Sequence, residues 1–154
     1  MFDMMLRSCA LAAFALACTA PTRAHAQTPV DSQAVRRAML DYVEAFYEVR
    51  PDRIERSVHP TLFKQGMVSP DGGAYRGPVL MTFEQARELA ATWNRDNVRA
   101  NPATAPKVIE VLDLLDATAV GKLTASWGTD YLLLAKLEDR WMIMQVLWQT
   151  PVRG

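Results

Sequence analysis

The segment Asp130–Trp148, DYLLLAKLEDRWMIMQVLW, limits the fold more than any other part of the chain. Its apolar residues fall into two blocks on either side of Glu138-Asp139. The first is rich in Leu; the second mixes Trp, Met, Ile and Val, and neither contains Gly or Pro. The pattern predicts two β-strands joined by a tight turn. An isolated hairpin is barely stable in water, so other strands or a covering helix must pack against it. A three-residue loop favours a Gly in the left-handed conformation, and none is present, which leaves a loop of two or four residues. Strand side chains alternate between faces. An even loop therefore puts Asp130, Leu132, Leu134, Lys136, Trp141, Ile143, Gln145 and Leu147 on one face. Tyr131, Leu133, Ala135, Leu137, Met142, Met144, Val146 and Trp148 share the other.

The chain upstream supplies the cover. Thr28-Pro29-Val30-Asp31 has the form of a helix start, and Val35, Ala38, Met39, Tyr42 and Phe46 recur at helical spacing to about Glu48. Pro51–Val58 reads as a short second helix closed by His59-Pro60, since the residue before Pro avoids the helical conformation. Phe63–Val68 is predicted as a strand. Ser69–Gly73 is a turn, and Ala74–Met81 a partner strand placed at an edge by Gly77-Pro78. Thr82 and Gln85 form a capping box for a third helix carrying Phe83, Ala86, Leu89, Ala90 and Trp93. Strands follow over Lys107–Leu115 and Ala119–Trp127. A two-residue loop at Gly128-Thr129 would place Gly121, Leu123, Ala125 and Trp127 on the face of Asp130. The fold class expected is α+β, with a long helix against an antiparallel meander.

The first 26 residues read as a secretory leader rather than as part of the fold. Arg7 precedes the apolar run Cys9–Cys18, and Ala24-His25-Ala26 is a cleavage site of the A-x-A type. The run is shorter than the roughly 20 residues a membrane-spanning helix needs. Lipid attachment at Cys18 is the alternative. Cleavage leaves one domain, 27–154, destined for the periplasm or the exterior. Both cysteines leave with the leader, so the mature chain has no disulfide and no thiolate for catalysis or metal binding. Basic and acidic side chains balance at 17 each, so no charge excess points to nucleic acid. His59 is the sole histidine after cleavage, which argues against a zinc site. Sequence signatures of nucleophilic hydrolases, phosphate loops and zinc proteases are absent, and no cofactor is expected.

Val35–Tyr47 (VRRAMLDYVEAFY), Ser57–Leu62 (SVHPTL), Val111-Leu112-Asp113, Asp130–Ala135, Asp139-Arg140-Trp141 and Val146-Leu147-Trp148 together resemble the putative lumazine-binding family. That family lies within the nuclear transport factor 2-like superfamily. The likeness runs through nearly all of the mature chain. It implies a curved antiparallel sheet wrapped around the long helix as an open-ended cone, a cavity for a small molecule, and often a homodimer through the outer sheet face. Relatives include isomerases, dehydratases and cyclases as well as proteins with no known activity. Family turns often carry Gly where this chain has Asp139.

On that frame, Tyr42, Phe46, Trp127, Leu132, Leu134, Trp141 and Ile143 are expected to wall the cavity, with Asp130 and Gln145 as its polar groups. A carboxylate in an apolar cone has a raised pKa and can serve as general acid or base. The competing role for Asp130 is to cap the turn before it. His59 is a second catalytic candidate, as a proton shuttle, against a local role at the helix-to-strand corner. Tyr42 and Phe46 fit core packing as readily as ligand contact. Glu110 or Asp113 could also face inward, depending on the turn at Asp116–Thr118. Three functions stay open: an exported small-molecule-binding protein, a cofactor-free isomerase, dehydratase or cyclase, and a module that binds a partner through the outer sheet.

Overall fold

In the computed structural model, which describes residues 29–151, helix α1 (Pro29–Tyr47) is the element on which the rest is laid. The expected leader, residues 1–26, and the Thr28 cap lie outside the described residues. Val35, Ala38, Met39, Tyr42, Val43 and Phe46 on α1 are buried, the stripe that the helical spacing predicts. Val49, with φ of 56°, takes the left-handed position that usually falls to Gly, and the Arg50 amide bonds back to the Ala45 carbonyl at 2.8 Å. Pro51 then starts α2 (Pro51–Ser57), and Thr82 and Gln85 close a reciprocal capping box on α3 (Phe83–Ala90).

Six strands form one sheet: β1 (Val58–Val68), β2 (Arg76–Met81), β3 (Val108–Leu114), β4 (Thr118–Ala125), β5 (Gly128–Leu137) and β6 (Arg140–Gln149). Their order is β2-β1-β6-β5-β4-β3, with β2 at an edge as Gly77-Pro78 implies. Pairing is antiparallel throughout except between β1 and β6, which run parallel. The sheet is therefore mixed, where a wholly antiparallel one was expected. The parallel pair arises because α3 and strands β2 to β5 intervene between β1 and β6. β1 also begins at Val58, directly after α2, five residues earlier than predicted.

The β5–β6 turn is the two-residue loop Glu138-Asp139, with φ of 47° and 60° and Leu137 opposite Arg140. Both residues adopt the left-handed geometry of a type I′ turn without Asn or Gly. Lys136 faces Trp141 and Leu134 faces Ile143, as the even loop requires. The register then shifts: Leu133 pairs with Gln145, Leu132 with Val146 and Asp130 with Trp148. Met144 is the extra residue of a β-bulge, and every side chain after it changes face. Val146, 2% exposed, turns inward with Trp148, while Gln145 and Leu147 turn outward. This reverses the expected placement of Gln145, Leu147, Val146 and Trp148.

The β4–β5 turn falls at Ser126-Trp127, two residues before the loop expected at Gly128-Thr129. Because the shift is by an even number, the faces keep their identity: Leu123 pairs with Asp130 and Gly121 with Leu132. Gly121 lets the end of the Met39 side chain of α1 lie against the strand; a Cβ there would lie 2.5 Å from it. Among the described residues no helix is long and apolar enough to cross a membrane.

Candidate functional site

At the end of the sheet where β4 turns into β5, the C-terminal half of α1 meets an aromatic cluster. Trp127 is its centre. Its ring lies 5.4 Å from Phe46, 5.4 Å from Tyr47 and 5.3 Å from Trp93, each edge-on. Tyr42 completes the group, 5.3 Å from Phe46. Edge-to-face pairs of this kind each add about 0.5–1.5 kcal/mol beyond burial. Asn94 fastens the loop after α3 beneath them. Its amide donates to the Tyr47 and Ala100 carbonyls at 2.7 and 2.8 Å, and its oxygen accepts from the Arg99 and Ala100 amides at 3.0 Å.

A pocket of about 80 Å³ opens beside this cluster. Phe46 and Trp127 form one wall, Leu89 and Trp93 another, and Lys64, Met81 and Trp148 close it from the β2-β1-β6 side. Lys64 is 6% exposed, an unusual place for an ammonium group. It donates to the Tyr42 hydroxyl at 2.5 Å and lies 5.1, 5.5 and 5.6 Å from the ring centres of Tyr42, Phe46 and Trp148. Trp148 rests on Gly66, its partner across β1 and β6. A Cβ at Gly66 would lie 2.1 Å from the indole, so only glycine leaves room for the ring. The Trp148 Nε1 donor is buried and has no hydrogen-bond partner among the described residues.

Behind the pocket lies Asp130, fully buried, with Trp127 Nε1 donating to its two oxygens at 3.1 and 3.2 Å and the Tyr42 hydroxyl against its carboxyl. Burial raises the Asp130 pKa above the ordinary carboxylate value; the Lys64 charge and the Trp127 and Tyr42 bonds pull the other way and do not cancel it. Burial lowers the Lys64 pKa, against the opposing pull of Asp130. The Tyr42 hydroxyl is pushed well above its usual value by burial, then by the Asp130 charge and bond. Lys64, Tyr42, Asp130 and Trp127 thus form one buried polar chain in an apolar setting.

The structure brings together some of the expected residues and separates others. Phe46 and Trp127 line the pocket; Tyr42 and Asp130 stand directly behind it. Asp130 sits within β5 and not at the turn, although it is the side chain that holds the turn residue Trp127. Leu132, Leu134 and Ile143 are 0–2% exposed and pack into the core, and none of them lines the pocket beside Trp127. Trp141 stands at the other end of α1, donating to Asp31 at 2.8 Å. Gln145 is carried to the outer face by the bulge. His59 bonds locally, with Nδ1 2.7 Å from the Thr61 hydroxyl and accepting the Thr61 amide at 3.2 Å. Glu110 is exposed and paired with Lys122, and Asp113 is exposed and accepts the Leu114 amide. Among the described residues no three metal-ligating side chains converge.

Lys64, Met81, Leu89 and Trp148 were not foreseen. A signal for Lys64 exists: Leu62, Lys64 and Gly66 alternate, and an apolar residue and a glycine on one phase predict that the lysine between them is buried. Starting the strand at Phe63 leaves Leu62 out of it, and no face is then assigned to the strand.

A long helix cradled by a six-stranded mixed sheet, with a small pocket at one end of their interface, defines a nuclear transport factor 2-like domain. Solved structures agree. Nuclear transport factor 2-like proteins of unknown function from Shewanella baltica OS155, Methylobacillus flagellatus KT and Silicibacter pomeroyi DSS-3 superpose with TM-scores of 0.60, 0.58 and 0.57. They are 14%, 18% and 15% identical over 80%, 81% and 80% of this chain and 96%, 95% and 98% of theirs. No curated protein matches. The family model described as Putative lumazine-binding matches residues 30–149, and the chain belongs to that family.

Proposed function

We propose that the protein binds a small planar molecule in the pocket between Phe46, Trp93, Trp127 and Trp148. The observation that carries this reading is an apolar opening walled by four aromatic rings beside the buried Lys64. The family's description supports it. At about 80 Å³ the pocket is well below the roughly 300–1,000 Å³ of sites that engulf drug-sized ligands, so it takes one ring or the edge of a larger molecule. Binding has more support than acid–base catalysis, because Asp130 is shut behind Trp127 and is not among the lining residues.

The test is mass spectrometry of small molecules released on denaturing the purified protein, with tryptophan fluorescence against a panel of heteroaromatic fragments. Leu89→Trp, which fills the pocket mouth, should abolish both signals, and Trp127→Phe should remove much of the quenching. No released molecule and no quenching across the panel would end the proposal.

From Arg7, the apolar run Cys9–Cys18 and Ala24-His25-Ala26 we further propose that the protein is exported, with residues 1–26 removed and Gln27 as its N-terminus. An intact mass showing a lipid on Cys18 would replace that proposal. We also propose a homodimer through the outer sheet face. There Phe63, Tyr131, Leu133 and Leu147 are 43–54% exposed around a shallow groove, an apolar cluster of the kind that marks an interaction surface.

A further inference from the structure

Lys64 and Trp148 give the pocket a polarity that a general apolar site lacks. An ammonium has three N–H donors. Among the described residues Lys64 uses one, on the Tyr42 hydroxyl. The Trp148 indole N–H uses none. A buried donor left unpaired costs about 1–3 kcal/mol, so both groups favour an occupant that accepts hydrogen bonds. The Lys64 and Trp148 side chains line the same small pocket, with the ammonium 5.6 Å from the Trp148 ring centre, and the indole edge that carries Nε1 lies over Gly66, which leaves room for it.

We infer that the occupant is a planar monocarboxylate, held with one oxygen on Lys64 Nζ and the other on Trp148 Nε1, and with its ring between Phe46, Trp93 and Trp127. This rests on the binding reading above and names the ligand class. A single charge matches a single lining cation. A phosphate would bring more charge than Lys64 offsets. Asp130 offsets the Lys64 charge only in part and makes no direct bond to it among the described residues, because Trp127 Nε1 holds its oxygens and the Tyr42 hydroxyl lies between it and Lys64. Burial also drives Asp130 towards its neutral form, leaving Lys64 to the incoming anion. An arriving carboxylate restores the ammonium that burial disfavours.

The experiment compares 4-fluorobenzoate with 4-fluorobenzamide, equal in shape and different in charge, by fluorine NMR titration of the full mature chain at pH 7. The benzoate should bind at least tenfold more tightly. Lys64→Met should erase that preference, with the benzoate losing more affinity than the benzamide, and Trp148→Phe should lower the benzoate preference by a smaller factor. Equal or tighter binding of the benzamide to the unaltered protein would overturn the inference and leave the pocket reading intact. If neither probe binds, and indole does not bind either, both fail. The comparison on the unaltered protein needs no variant to fold.

Discussion

Replacing Lys64 and Asp130 together by Met and Asn removes the charges from the buried chain while keeping its shape. Taking an ammonium out of water costs several kcal/mol even after relaxation. The offsets at Lys64 are one hydrogen bond to Tyr42, three aromatic faces between 5.1 and 5.6 Å away, and Asp130. A charged hydrogen bond returns about 1.5–3 kcal/mol and a desolvated cation–π contact about 2. Buried charge pairs exchanged for apolar groups of similar volume gain roughly 1–4 kcal/mol. We take the low end, about 1–2 kcal/mol, because Lys64 borders an open pocket. Urea unfolding followed by tryptophan fluorescence should show the double variant more stable at pH 7, with the midpoint raised by about 0.5–1 M for a slope near 2 kcal/mol/M.

Lys64→Met alone should behave differently with pH. Asp130 has a raised pKa in the folded state, so its contribution is complete below the unfolded value of about 4 and is lost as pH rises through the folded value. Without Lys64 to lower it, the folded value climbs further. The single variant should therefore match the double at about pH 3.5 and fall behind it at pH 8. A double variant less stable than the unaltered protein by more than about 1 kcal/mol at both pH values would refute the reasoning. The charged chain would then be holding the fold together, and Lys64 would not be a stability cost retained for binding.

Asp41 presents the opposite sign. It is 3% exposed and bonded by Arg53 and Arg56, with Arg37 at 3.3 Å. Burial raises its pKa, but the Arg56 bond and the charges of Arg37, Arg56 and Arg53 outweigh that and hold it below the usual value. Asp41→Asn should cost about 2–3 kcal/mol in urea unfolding at pH 7, the low end for a buried pair because Arg37 and Arg56 keep half their surface in water. It should also flatten the loss of stability as pH falls below about 4; an unchanged acid limb would count against it. Leu133→Lys should turn a dimer into a monomer by light scattering at micromolar concentration, and a monomeric parent protein would sink the outer-face proposal. Deleting Met144 should remove the bulge yet keep Val146 inward and Gln145 outward, because Ile143 still faces Leu134 and Gln145 still faces Leu133. The expected change in urea unfolding is about 1 kcal/mol or less; a loss above about 3 kcal/mol would mean that Met144 is not the extra residue.

What was legible in the sequence was the part governed by local chemistry. The stripe from Val35 to Phe46, the Thr82–Gln85 box, the edge status of the strand with Gly77-Pro78 and the Glu138-Asp139 turn all follow from spacing or from backbone preference. The inward face of β4 survived a misplaced turn because the error was even. The site was less legible for a physical reason. Alternation carries a strand's face assignment only while pairing is regular, and a bulge made by Met144 has no Gly or other compositional mark. From that residue onward every inference about β6 inverts, which is why Gln145 was assigned to the cavity and Trp148 to the outside.

The same irregularity is what makes the site. With flush pairing, Trp148 would point to the outer face, Gln145 would occupy the inner one, and Gly66 would border an empty space where the indole now lies. Lys64 would lose an aromatic face and the pocket its second donor. The bulge therefore does two jobs at once. It places Val146 in the core, which stabilises the sheet, and it places Trp148 over Gly66, which leaves an indole N–H buried without a partner. A sheet selected for stability alone would have no use for that unpaired donor, and its cost of about 1–3 kcal/mol is one that a bound acceptor would relieve. On the proposed binding reading, the pocket, the buried lysine and the strand irregularity have one explanation: β6 is bent to present Trp148 to a ligand.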